Sequence, residues 1–103
     1  MTEKIYKKIS LQEARIMAES NEKNKDFVII DIRTPEELEA GVVGKPTNID
    51  FYDPDFQKNI GKLDKNKTYL VYCRSGARSR AAVQYMLSAG FTRIYEIEGG
   101  ISG

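Results

Sequence analysis

Thr68-Tyr69-Leu70-Val71-Tyr72-Cys73-Arg74-Ser75-Gly76-Ala77-Arg78-Ser79 changes character at its midpoint. The first five residues are β-branched, aromatic or aliphatic without polar alternation, as expected of a strand covered on both faces. The next seven are small, hydroxylated or cationic, and a helix pattern follows them to about Ser88, where Gly90 stops it. A buried strand that runs through a small-residue loop into a helix is a unit of an α/β sheet.

A second such unit lies upstream. Phe27-Val28-Ile29-Ile30-Asp31-Ile32 is another apolar run, and Thr34-Pro35-Glu36-Glu37 is a helix start. Thr34 is placed to cap, Pro35 occupies the first helical position, and acids fill the first turn. Gly41 ends this short helix. Nearer the N-terminus, Ser10-Leu11-Gln12-Glu13 has the form of a capping box, opening a helix that buries Leu11, Ala14, Met17 and Ala18. Ile5, Tyr6 and Ile9 suit an edge strand. Thr47 to Phe51 suits another strand, Pro54 to Gly61 a short helix, and Arg93 to Ile97 a last strand. Strands alternating with helices predict one domain over residues 1–103, with a mainly parallel sheet flanked by helices on both faces.

Composition narrows the chemistry. The chain has 103 residues, a formal net charge of +1, 41% hydrophobic and 30% charged residues. Such a balance gives no bulk attraction to nucleic acid or acidic membranes, and Lys7-Lys8 and Lys62 to Lys67 read as solvated surface. No segment approaches the ~18 apolar residues that span a bilayer, and a cytoplasmic location is expected. The single cysteine offers no internal disulfide and no multi-thiolate metal site. Histidine is absent, which removes Ser-His-Asp and Cys-His hydrolase chemistry and His-ligated zinc. No cofactor or metal is expected.

Functional residues in parallel sheets gather beyond the carboxyl ends of strands. Two such ends carry unusual residues: Asp31-Ile32-Arg33, and Cys73 through Ser79. In the second, small side chains let backbone N–H groups converge, and a helix N-terminus adds unsatisfied donors and a positive dipole end. That arrangement binds anions, and it favours a thiolate over a thiol. A cysteine ending an apolar strand is otherwise an inert core residue. Arg74 and Arg78 weigh against that reading, because burying two guanidiniums without an anion is costly. The site is therefore expected to be open and anion-facing. The carboxylates of Tyr52-Asp53-Pro54-Asp55 suit a turn, and Glu36, Glu37 and Glu39 suit the helix dipole and solubility. Tyr69 and Tyr72 are expected to pack in the core.

The sequence resembles the rhodanese family of sulfurtransferases. The likeness spans roughly residues 5 to 101. It is carried by Tyr72-Cys73-Arg74-Ser75-Gly76-Ala77-Arg78-Ser79, Ala89-Gly90-Phe91 and Glu98-Gly99-Gly100-Ile101, with Asp31-Ile32-Arg33, Glu36-Glu37 and Asn48-Ile49-Asp50 upstream. The resemblance implies that Cys73 is the sulfur-accepting nucleophile and that the backbone from Arg74 to Ser79 cradles the anion. It makes Arg33, Arg74 and Arg78 candidates to hold the substrate or brace the loop, with Asp31 as structural support. The implied reaction moves sulfane sulfur from thiosulfate or a similar small anion onto Cys73. An external thiol, dithiol or protein then accepts it, since no second cysteine exists. A monomer is expected.

Two rivals stand beside this reading. One is a carrier or interaction module loaded by a partner protein. The other is a small cysteine phosphatase or arsenate reductase, but those phosphatases use a Cys-x5-Arg loop, whereas four residues separate Cys73 from Arg78 here. The chain also departs from the family. Where members often carry Gly-His-Ile-Pro-Gly-Ala, it has Gly41-Val42-Val43-Gly44-Lys45-Pro46, a change expected to alter loop packing rather than abolish catalysis. An aromatic commonly follows Gly-Gly-Ile in the family; Ser102-Gly103 follow here, so a terminal packing residue is expected to be missing or the chain shortened. The loop carries arginines but no lysine, which leaves donor preference open.

Overall fold

A computed structural model describes residues 4–102. Five strands form one all-parallel sheet in the order β1-β5-β4-β2-β3. They are β1 (Ile5–Ile9), β2 (Phe27–Asp31), β3 (Thr47–Asn48), β4 (Thr68–Tyr72) and β5 (Arg93–Ile97). Helix α1 (Leu11–Ser20) covers one face; α2 (Phe56–Gly61) and α3 (Ala77–Ser88) cover the other. This is the predicted α/β architecture, with β1 on an edge.

Alternation along β4 divides the core in two. Tyr69, Val71 and the following Cys73 face Phe56, Ile60, Ala82, Val83 and Met86, while Leu70 and Tyr72 face Ala14 and Ala18. Because β2 and β4 are buried on both sides, they needed the continuous apolar runs that mark them in the sequence. The capping box of α1 forms as predicted: the Glu13 amide donates to Ser10 Oγ at 3.0 Å, and Glu13 Oε1 accepts from the Ser10 amide at 3.1 Å. Of the four residues expected beneath α1, Ala14 and Ala18 are buried, and Leu11 and Met17 are half-buried.

Two elements differ from expectation. Pro35–Ala40 is a 3-10 helix rather than an α-helix. The Gly41 amide bonds Leu38 O, three residues back, and Glu37 O accepts from Arg33 Nη1 at 3.1 Å. Strand β3 is also shorter than the predicted Thr47 to Phe51. Its neighbour β2 ends at Asp31, and Asn48 Nδ2 caps that end by donating to the carbonyls of Asp31 and Arg33. Past Asn48 the contact continues as two isolated bonds, the Ile49 amide donating to Asp31 O and the Phe51 amide to Ile32 O, both at 3.0 Å.

From the β1 edge the chain crosses to β2 and β3, then returns through β4 and β5. The connections leaving β2 and β4 therefore diverge, which opens a crevice at the carboxyl ends of those two strands. Asp31-Ile32-Arg33 and the Cys73 loop meet there.

Candidate active site

Cys73 follows β4 directly, and its side chain is buried at the floor of the loop. Two backbone amides point at its sulfur. The Gly76 N–H donates to Sγ at 3.1 Å, and the Ser79 N–H donates at 3.3 Å. The first comes from the residue that caps α3 and the second from the helix's first turn, where amides have no partner within the helix. Gly76 turns the chain with φ +104°, a conformation that side-chain-bearing residues rarely adopt. Both donors stand at the positive end of the α3 dipole, an arrangement suited to an anion.

The loop is held from below by the C-terminal segment. The Ile101 amide donates to Cys73 O at 2.9 Å, and the Ser102 amide and hydroxyl donate to Arg74 O at 3.0 and 2.7 Å. Gly100 makes this approach possible. Its φ is +69°, and a Cβ there would lie 2.3 Å from Arg74 O and 2.6 Å from Cys73 O. Gly100 thus has a packing reason tied to the Cys73 loop.

The three arginines serve different ends. Arg33 is buried, and each nitrogen of its guanidinium donates within the protein. Nε and Nη2 donate to the Asp31 carboxylate at 2.8 to 3.1 Å, Nη1 donates to Glu37 O, and Nη2 also donates to Gly41 O. Hydrogen bonding to Asp31 is the main force raising its pKa further. Arg78 forms a two-pronged pair with Glu37 at 2.8 and 2.9 Å and lies over the Tyr52 ring at 5.3 Å. Both Arg33 and Arg78 brace the crevice. Arg74 alone projects outward, without an ion pair among the described residues, into a cavity of about 460 Å³ that Gly41, Ile101 and Ser102 also line.

The inference that two loop arginines require an external anion is thereby corrected for Arg78: its anion is Glu37, from the 3-10 helix. Glu37 is likewise more than a helix-dipole and solubility residue. Its carboxylate also accepts from the Thr34 amide and hydroxyl at 3.0 and 3.1 Å. Hydrogen bonding from Arg78, with a contribution from Thr34 and against the opposing effect of burial, lowers its pKa to about 2.

Tyr72 packs in the core as expected, and it does more. Its hydroxyl accepts the Val43 amide at 3.0 Å, and its ring lies 5.6 Å from the Arg33 guanidinium carbon. Burial, followed by the Asp31 carboxylate, raises its pKa, so the phenol stays neutral. Tyr52 also went unrecognised, since its role depends on Arg78 arriving from a distant segment. The remaining predicted residues form the rim: Ser75 and Ala77 are exposed, and Gly76 is half-buried. A larger cavity of about 510 Å³ lies between the end of α1 and the start of β2, lined by Arg15, Glu22, Phe27 and Lys45. Neither Cys73 nor any of Arg33, Arg74 and Arg78 lines it, and chemistry rather than volume identifies the candidate site.

The model of the rhodanese-like domain matches residues 13–103. The chain belongs to the rhodanese-like domain family. A thiosulfate sulfurtransferase, GlpE, from Coxiella burnetii is 31% identical over 96 residues, covering 93% of this chain and 84% of that protein. A tRNA sulfurtransferase from Shewanella putrefaciens is 36% identical over 100 residues, covering 91% of this chain. The chain spans only 19% of that relative's length. Among solved structures, a rhodanese-related protein from Thermoplasma volcanium superposes with a TM-score of 0.68 at 28% identity, covering 97% of this chain and 87% of that one. These likenesses make sulfur transfer the general chemistry of the rhodanese-like fold found here.

Proposed function

We propose that this rhodanese-like domain is a thiosulfate-type sulfurtransferase that works through a persulfide on Cys73. The main support is the convergence of the Gly76 and Ser79 amides on Cys73 Sγ. The Cys73 thiolate attacks the outer sulfur of thiosulfate. A sulfur–sulfur bond forms to Cys73, the bond to the sulfonyl sulfur breaks, and sulfite departs with the electron pair. Sulfite is a stable anion and needs no protonation, so the absence of histidine is no handicap. A thiophilic acceptor then attacks the outer sulfur of the persulfide and regenerates the thiolate.

Arg74 fits the role of holding the donor's anionic end, because its guanidinium is exposed and uncommitted. Arg33 and Arg78 fit that role poorly, since each guanidinium is already paired with a carboxylate of this chain. The pairing of Arg78, the arginine that closes the loop, with Glu37 weighs against phosphatase chemistry.

Incubation with thiosulfate should add the mass of one sulfur atom, and cyanide should then release thiocyanate. Cys73→Ser should abolish both. An adduct obtained from a cysteine-desulfurase partner but not from thiosulfate would overturn the thiosulfate assignment in favour of a carrier. A Cys73 that resists alkylation at neutral pH would remove the nucleophile altogether.

A further inference from the structure

One buried acid takes no part in the chemistry above. Glu96 lies on β5 between Tyr95 and Ile97 and is 2% exposed. Its side chain projects to the α3 face, as Ile94 does two residues earlier. A carboxylate in that position requires partners, and both oxygens have one. Oε2 accepts from Ser79 Oγ at 2.8 Å, and Oε1 accepts from the Tyr6 hydroxyl at 2.5 Å. Lys8 from β1, Arg80 from α3 and Glu98 line the same 290 Å³ recess behind the loop.

Ser79 links this acid to the nucleophile. Its hydroxyl is held by Glu96, while its amide is one of the two donors to Cys73 Sγ. The other donor, Gly76, is tied into the same turn, because Gly76 O lies 3.2 Å from Ser79 Oγ and accepts the Arg80 amide at 3.0 Å. We infer that Glu96 is a positioning residue, fixing the first turn of α3 through the Ser79 hydroxyl so that the Gly76 and Ser79 amides aim at the Cys73 sulfur.

Tyr6 completes the arrangement from the sheet edge. Burial, then the hydrogen bond and negative charge of Glu96, push its phenol up to about 12, so it remains a donor throughout the working pH range. A carboxylate near the α3 N-terminus is favoured by the helix dipole but repels a thiolate. The geometry directs its lone pairs to two hydroxyls instead of to sulfur. A charge effect and a positioning effect therefore act in opposite directions on Cys73, and substitution separates them.

The inference rests on Cys73 being the sulfur acceptor proposed above. Its test is the pH profile of Cys73 alkylation by iodoacetamide, measured with thiocyanate formation and thermal melting. Ser79→Ala keeps both amides and the carboxylate but cuts the link. It should slow alkylation at pH 7 by roughly fivefold and move its midpoint upward. The thiocyanate kcat should fall with little change in the thiosulfate KM, because Arg74 is untouched. Glu96→Gln keeps an acceptor for Ser79 and should recover most of the rate that Glu96→Ala loses. The double variant Ser79→Ala/Glu96→Ala should lose no more than either single change.

Unaltered alkylation in Ser79→Ala overturns the inference, as does a Glu96→Gln variant as slow as Glu96→Ala. If Glu96→Ala does not fold, Ser79→Ala decides alone, since its carboxylate keeps Tyr6 as a partner. A wild-type protein that alkylates readily but forms no thiocyanate defeats the sulfur-transfer proposal, while the variant profiles still decide the positioning role. An inert wild-type Cys73 defeats both.

Discussion

Arg78 grips both carboxylate oxygens of Glu37 across 41 residues of sequence, at 2.8 and 2.9 Å. One partner stands in the first turn of α3 and the other in the 3-10 helix, so the pair joins the loops leaving β4 and β2. Both side chains remain partly open to solvent, at 16% and 26% relative exposure. Screening therefore limits the energy despite the good geometry, to about 1 kcal/mol of coupling. A double-mutant cycle with Arg78→Met and Glu37→Gln, followed by urea unfolding, should return that value. Zero coupling would mean the pair is an incidental surface contact.

Glu37 also predicts how stability responds to acid. Its folded-state value of about 2 lies below the ordinary range near 4.3 expected of the unfolded chain. A depressed carboxylate contributes fully above the unfolded value and loses that contribution as pH falls toward the folded value. The wild-type protein should thus lose part of its stability between about pH 4.5 and 2. Glu37→Gln should be less stable at pH 6 and show a shallower decline in that window, measured by urea midpoints. An equal slope in both proteins would assign the acid sensitivity to other carboxylates.

Gly100→Ala tests whether the C-terminal segment supports the Cys73 loop. The new methyl group would meet backbone at 2.3 Å, in a conformation with φ +69°. Strain and overlap together predict a loss of about 2–4 kcal/mol. Gly41→Ala is the control, because its φ is +125° but nothing lies within 4 Å of the added carbon. It should cost about 1–2 kcal/mol for backbone strain alone. Faster alkylation loss in Gly100→Ala than in Gly41→Ala, below both melting temperatures, would tie the segment to Cys73.

What the sequence displays depends on distance along the chain. The apolar runs of β2 and β4, the Ser10–Glu13 box and the Gly76 turn are set by neighbours within a few residues, and each is legible. The roles of Glu37, Tyr52 and Tyr72 are not, because each is completed by a residue between 26 and 41 positions away. Arg78 shows the consequence: two arginines in a loop suggested an external anion, whereas one of them already had an internal partner. Glu96 left a faint trace, as a lone acid within Arg93-Ile94-Tyr95-Glu96-Ile97. An acid flanked by apolar residues in a strand is unremarkable on an edge. It becomes informative only once β5 is known to lie between β1 and β4.

Arg33 and Arg74 give the sharpest contrast between support and substrate binding. Arg33 is buried and donates to Asp31, Glu37 O and Gly41 O, so Arg33→Ala leaves Asp31 as an unpaired buried charge and two carbonyls without this donor. Breaking such a pair costs about 3–5 kcal/mol, and Arg33→Lys should not rescue it, because an ammonium cannot span Asp31, Glu37 O and Gly41 O together. Arg74→Ala removes an exposed side chain and should alter stability by less than about 0.5 kcal/mol. Its effect should fall on the thiosulfate KM, raised roughly tenfold for loss of one charge-assisted contact to the donor. Steady-state kinetics on both variants, below the Arg33→Ala melting temperature, separate the two roles. An unchanged KM in Arg74→Ala would remove it from the binding site, and unchanged stability in Arg33→Ala would remove the brace.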